Sequence, residues 1–325
     1  YAVVFFAIWW AWMNFTWFAS AYDTDDVPYR LLVLVQIAGV LVLAAGVERG
    51  LDGLDFRAIV AGFVLMRLGM VAQWLRAARA DPERRRTALR YAAGLVALQV
   101  LWLGMLLLPR ALHLPAWGLL AAGELAVPVW AERVSQTPWH PHHIAERYGL
   151  MTLIVLGESI LAATVAVQAA MDTGASAARL VSVAGGGLLI LFSMWWLYFS
   201  EQAHERLRGR REAFVWGYGH LVIFAAAAAV GAGLAVVADH AAGRAHIGRA
   251  AAGAAVVVPV SLYLLALWAV HLRHDRAAGW RRYACPVLAA LLPAAIPLPA
   301  GIVVVGLALA ALVALSEHAR TAPEG

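Results

Sequence analysis

The chain contains no lysine, so all 25 of its basic residues are arginines. Charge of either sign is scarce, at 14% of 325 residues, well below the roughly one quarter usual for soluble domains. The single cysteine, Cys285, excludes an intramolecular disulfide framework and a cysteine-based zinc site; its apolar sequence context predicts a small buried thiol without redox chemistry. The apolar run that starts at Tyr1 has no charged flank or cleavage site, which argues against a secretory signal peptide, and the missing initiator Met predicts a chain that starts inside a longer protein. What is abundant is apolar surface, with 63% of residues hydrophobic. A bilayer-crossing helix takes about 20 apolar residues. Such runs follow one another almost end to end and leave no stretch for a separate soluble domain. The expected fold is all-α, a polytopic transmembrane helical bundle forming a single integral membrane domain over residues 1–325.

Apolar runs bounded by charge, proline or glycine predict eleven helices, at 2–22, 31–47, 57–76, 88–108, 115–134, 144–170, 179–201, 213–237, 250–272, 281–296 and 299–318. The tenth carries Pro286 and Pro293 and is expected to be broken or re-entrant. Alternating the loops puts eighteen arginines on one face and six on the other, with Arg67 left inside a helix. Cytoplasmic loops carry the excess of basic residues, so the C-terminus and the loops after helices 1, 3, 5, 7 and 9 are expected in the cytoplasm. Trp74, Trp130, Trp139, Trp216 and Trp280 fall near that boundary, as interfacial anchors should.

Short strings recur six helices apart. Trp9-Trp10-Ala11-Trp12 in the first helix matches Trp195-Trp196-Leu197-Tyr198 in the seventh, Gln36 matches His220, and Trp74-Leu75-Arg76 matches His271-Leu272-Arg273. Glu132-Arg133 matches Glu317-His318 in the same way. Two parallel repeats are the reading, over residues 1–134 and 143–320, the first one truncated by the loss of its opening helix.

A charge near mid-bilayer costs about 2.5–3.5 kcal/mol on insertion scales, so each such residue needs a partner or a wet cavity. Arg67 and Glu124 lie about ten residues into their helices and Glu158 about fourteen, at similar depth, which suggests one cluster. Ser159, Gln36, His220 and Asn14 are the polar residues expected to line it. An ion pair that only fixes helix packing explains the same pattern. At the expected cytoplasmic rim, Asp25, Asp26, His143, Glu146 and Glu205, with Glu201 and His204 nearby, offer the donor types of a divalent-cation site, although no complete metal signature is present. The tryptophan stripes read first as packing and lipid contact, and second as an aromatic pocket. The arginine clusters are short loops at helix ends, which topology explains without any nucleic acid.

The string His143-Ile144-Ala145-Glu146-Arg147-Tyr148-Gly149, followed by Leu156-Gly157-Glu158-Ser159 and preceded by Tyr22-Asp23-Thr24-Asp25-Asp26, resembles the bacterial low temperature requirement protein A family. The resemblance covers essentially the whole chain. It implies a multi-pass protein of the bacterial inner membrane with a further N-terminal helix bearing an acidic-aromatic motif, which this chain lacks. The matching positions here are Trp10, Asp25, Asp26, His143, Glu146, Arg147, Gly149, Gly157, Glu158 and Ser159. The resemblance names no substrate, reaction or catalytic residue.

Three functions fit these features. A transporter or permease would use the midplane cluster for a small molecule, an ion or protons. A membrane-embedded enzyme would act on a lipid or isoprenoid with a divalent metal at the rim. A non-catalytic envelope protein would support growth in the cold through partners or lipid packing.

Overall fold

A computed structural model describes residues 1–53, 55–172, 176–200, 207, 209–273 and 279–321. Among the described residues there is no strand, and eleven α-helices follow one another: α1 (Ala2–Tyr22), α2 (Val27–Gly53), α3 (Arg57–Ala80), α4 (Arg85–Met105), α5 (His113–Ala131), α6 (Pro141–Asp172), α7 (Ala177–Phe199), α8 (Arg210–Ala241), α9 (Arg249–Leu267), α10 (Arg281–Leu291) and α11 (Gly301–Thr321). Ten of them are long and apolar enough to cross a bilayer. Helices α2, α3, α6, α8 and α11 are longer than the apolar runs that mark them in the sequence, because backbone hydrogen bonding continues through charged ends after the hydrophobic run stops.

The exception is α10. Its 11 residues span only about 17 Å, against about 30 Å of hydrocarbon. Pro286 and Pro293 each remove a backbone donor, and the chain tightens into a 3₁₀ turn at Leu292–Ala295 before α11 begins.

The chain divides into two compact units, Tyr1–Ile144 and Ala145–Gly325, with the division in the first turn of α6. In the first unit α3 is central. A Cβ at Gly62 would stand 2.4 Å from the backbone nitrogen of Leu43, so α2 and α3 meet backbone against backbone. The other face of α2 exposes Leu34, Ile37 and Leu41, an apolar surface suited to lipid. Aromatic rings close one end of the unit: Phe18 and Tyr22 stand edge-on to Trp74, which stacks on Tyr91 at 4.1 Å with the planes 2° apart.

In the second unit α8 and α9 approach closest, where a Cβ on Gly233 would lie 2.1 Å from the carbonyl oxygen of Ala255. Val256, Val257, Val260, Tyr263 and Leu264 are fully buried along that seam. At its end α9 widens into a π-helical turn, Trp268–Leu272. Trp196 Nε1 donates to Glu317 Oε1 at 3.1 Å and Arg320 donates to the carbonyl oxygen of Ser200 at 2.7 Å, so α7 and α11 end on the same face.

Candidate functional site

The first unit buries the Arg67–Glu124 pair and, apart from it, Glu132, whose carboxylate accepts hydrogen bonds from Tyr91 Oη and from the Thr137 backbone N–H and hydroxyl. Glu124 in α5 is fully buried and Arg67 in α3 is 2% exposed. Their side chains form an ion pair, with Arg67 Nη2 3.1 Å from Glu124 Oε2. The same oxygen accepts a hydrogen bond from Trp10 Nε1 of α1 at 2.8 Å, and Oε1 accepts from Trp102 Nε1 at 3.1 Å and Gln99 Nε2 at 3.3 Å, both on α4. Four helices thus converge on one carboxylate. This is the physical condition for keeping it away from water, because a buried charge with open lone pairs is very costly. Arg67 also lies over the Phe63 ring at 4.7 Å. Two polar atoms beside the carboxylate have no hydrogen-bond partner among the described residues: Arg67 Nε, a donor, and Gln99 Oε1, an acceptor.

Recesses lie at both ends of this layer along α3. Toward the start of the helix, Phe56, Val60, Phe63 and Trp102 border a narrow apolar cleft of about 20 Å³. Toward its end, Phe18, Tyr29, Gln73 and Arg76 border a wider one of about 370 Å³. Gln73 is 1% exposed and accepts a hydrogen bond from Gln36 Nε2 at 3.0 Å. Phe63 is four residues before Arg67 and Gln73 six after, so the ion pair stands between the recesses, within about 10 Å of each lining along the helix axis.

The second unit buries a different centre. His220 of α8 is fully buried, and its Nδ1 lies 2.7 Å from the carbonyl oxygen of Trp216, so Nδ1 donates and Nε2 is left to accept. Tyr198 Oη of α7 lies 3.1 Å from that Nε2, and His271 Nε2 lies 3.3 Å from it. The π-helical turn at the end of α9 carries His271 into this position, where it is 1% exposed. Tyr148 of α6 sets its ring edge-on to His220 at 4.9 Å.

Comparison with known proteins bears on the whole of this arrangement. The chain matches the family described as bacterial low temperature requirement A protein over residues 1–316. The chain belongs to that family. It is 26% identical over 245 residues to an uncharacterized protein of Rhizobium meliloti (strain 1021), an alignment that covers 68% of this chain and 58% of the relative. The chain therefore spans little more than half the length of that curated relative. No solved structure matches it.

Of the positions whose sequence resembles the family's motifs, Trp10 donates a hydrogen bond to the buried carboxylate. Ser159 donates to the carbonyl oxygens of Val155 and Ala227, tying α6 to α8. Gly149 packs under Phe199, while Gly157 faces open space. His143 and Glu146 are exposed and Arg147 is half-buried. The residues expected in one midplane cluster divide between the units: Arg67, Glu124, Gln36 and Asn14 in the first, Glu158, Ser159 and His220 in the second. Glu158 is exposed on α6, and Asn14 donates to its own helix at the carbonyl oxygen of Trp10.

At the rim, Asp25 pairs with Arg30 at 2.9 Å and Asp26 pairs with Arg76. Arg30 holds Asp25 below the usual carboxylate range; the Tyr29 backbone N–H, helped by Arg76, does the same for Asp26. Among the described residues no three His, Cys, Asp or Glu side chains gather as metal ligands, and Glu201, His204 and Glu205 lie outside the described residues. Gln99, Trp102, Gln73, Tyr198 and His271 were missed from sequence. The spacing of Gln99 and Trp102, three apart on one face of an apolar helix, was the available signal.

Proposed function

We propose that the chain is a permease-like protein that moves protons, alone or with a small polar solute, through its first unit by way of the Arg67–Glu124 layer. The observation that carries this reading is the sealed ion pair with an open donor, Arg67 Nε, and an open acceptor, Gln99 Oε1, standing between two recesses. Each of these atoms is free to hydrogen-bond a water or a small polar solute that reaches the layer. This arrangement fits an occluded state, with Phe63 and Trp102 closing the narrow side and Gln73 bordering the wide side. Opening either side would bring water to the pair, and alternating the two would carry a proton or solute past it.

The four donors on Glu124 also suit a purely structural clamp, and one experiment separates the two readings. Purified protein in liposomes carrying an internal pH dye, under an imposed pH gradient, should dissipate the gradient faster than protein-free vesicles. Glu124→Gln should remove that activity while the exposed-site variant Asp25→Asn retains it. Wild-type protein with no proton movement, or a Glu124→Gln variant with undiminished movement, would overturn the proposal. The enzyme reading needs a gathered set of metal ligands at the rim, and Asp25 and Asp26 instead face arginines.

A further inference from the structure

A different part of the molecule, independent of the proton pathway, has the chemistry of a lipid site. In the second unit α7 begins, α8 ends and α9 begins on the arginine-poor face, and the connection into α11 passes beside them. These ends border a cavity of about 190 Å³ lined by Arg179, His240 and Arg249. No acidic side chain lines it among the described residues. Arg179 donates to the carbonyl oxygen of Ala241 at 3.4 Å, which holds its guanidinium at the cavity wall. The nearby Asp239 is already paired with Arg244 at 2.5 Å. The cationic excess has no topological explanation, because the positive-inside tendency places arginines on the opposite face.

Val183 lines this cavity and also a second recess of about 180 Å³, bordered by Thr164, Ala184, Gly187, Leu191 and Leu234 between α6, α7 and α8. Arg179, Val183, Gly187 and Leu191 recur every four residues, so one face of α7 carries a cation at its start and an apolar trough behind it. A small free anion would leave the trough empty, and an uncharged chain would leave two guanidinium groups without a counter-charge. We propose that this face binds a single membrane phospholipid with a net anionic phosphate headgroup, the phosphate against Arg179, His240 and Arg249 and one acyl chain along Val183, Gly187 and Leu191.

Native mass spectrometry of the full chain in detergent, titrated with phosphatidylglycerol, phosphatidylcholine or inorganic phosphate, tests this. Phosphatidylglycerol should bind at least tenfold more tightly than phosphatidylcholine. The double variant Arg179→Gln/Arg249→Gln should erase that preference. Ala184→Phe, which fills the trough from its wall, should weaken phosphatidylglycerol at least fivefold with the arginines intact. Melting curves establish that each variant is folded, and Ala184→Phe together with the wild-type headgroup preference suffices if the double variant is not. Equal binding of the two lipids, undiminished phosphatidylglycerol binding in a folded variant, or inorganic phosphate competing as effectively as the lipid would overturn the proposal.

Discussion

The first unit buries a carboxylate that takes donors from three neighbouring helices, whereas the second buries two imidazoles and a phenol joined in a short chain. The contrast follows from charge. A carboxylate removed from water needs a counter-ion and several hydrogen bonds before burial is tolerable, so Glu124 draws Arg67, Trp10, Gln99 and Trp102 around itself. Imidazole needs one donor and one acceptor, which Trp216, Tyr198 and His271 supply to His220. Gln36 joins α2 to α3 through an amide, and His220 joins α8 to the turn that ends α9 through an imidazole. Glycine presses the same helices together, α2 on α3 at Gly62 and α8 on α9 at Gly233.

If charge is what distinguishes the centres, breaking them should have unequal effects. Glu124→Ala leaves Arg67 buried without its counter-ion and is expected to destabilise the protein by about 3–5 kcal/mol, read from unfolding in detergent. The double variant Arg67→Met/Glu124→Leu should lose less than the single one, since no charge is left unpaired. Trp102→Phe removes one donor to a charged acceptor and should lose about 1.5–3 kcal/mol. His271→Phe should lose about 0.6–1.7 kcal/mol, the scale of side-chain hydrogen bonds measured inside membranes. A loss at His271 equal to that at Glu124 would remove charge as the basis of the comparison.

The smallest effect belongs to the rim. Asp81 is slightly desolvated, which alone would raise its pKa, but the Arg84 backbone N–H and guanidinium and the Tyr22 hydroxyl outweigh this and hold it below its usual 3.8. A carboxyl whose folded-state pKa is depressed stabilises the fold above the ordinary value and loses that contribution as the pH falls through the depressed one. Hydrogen-exchange protection around residues 81–87, referred to the intrinsic exchange rate at each pH, should therefore fall below about pH 3.8, and Asp81→Asn should lower it already at pH 6 and flatten its pH dependence.

Much of this was legible in the residues. Helix count and order follow from apolar run length, and the break in α10 follows from Pro286 and Pro293. Arg67 and Glu124 stood out because charge is rare in such segments, and both lie in one buried pair. Glu158 stood out for the same reason, yet it is exposed on α6 in the other unit. Depth along a helix can be read from sequence, but the direction in which a residue faces depends on which helices pack beside it. The partners Trp102 and Gln99 were hidden for a related reason. Tryptophan and glutamine are unremarkable in a membrane helix until a carboxylate faces them.

The order of residues determined that this chain forms apolar helices suited to a bilayer, because continuous apolar runs of about 20 residues satisfy their backbone hydrogen bonds within themselves only as helices. It also determined that a few polar side chains would have to find partners inside. Tertiary packing decided which ones met. Glycine contacts fixed how closely α2 approaches α3 and α8 approaches α9, and a π-helical turn swung His271 toward His220. Three helices closed on Glu124 of α5 because hydrogen bonds between distant segments depend on geometry that no local pattern encodes.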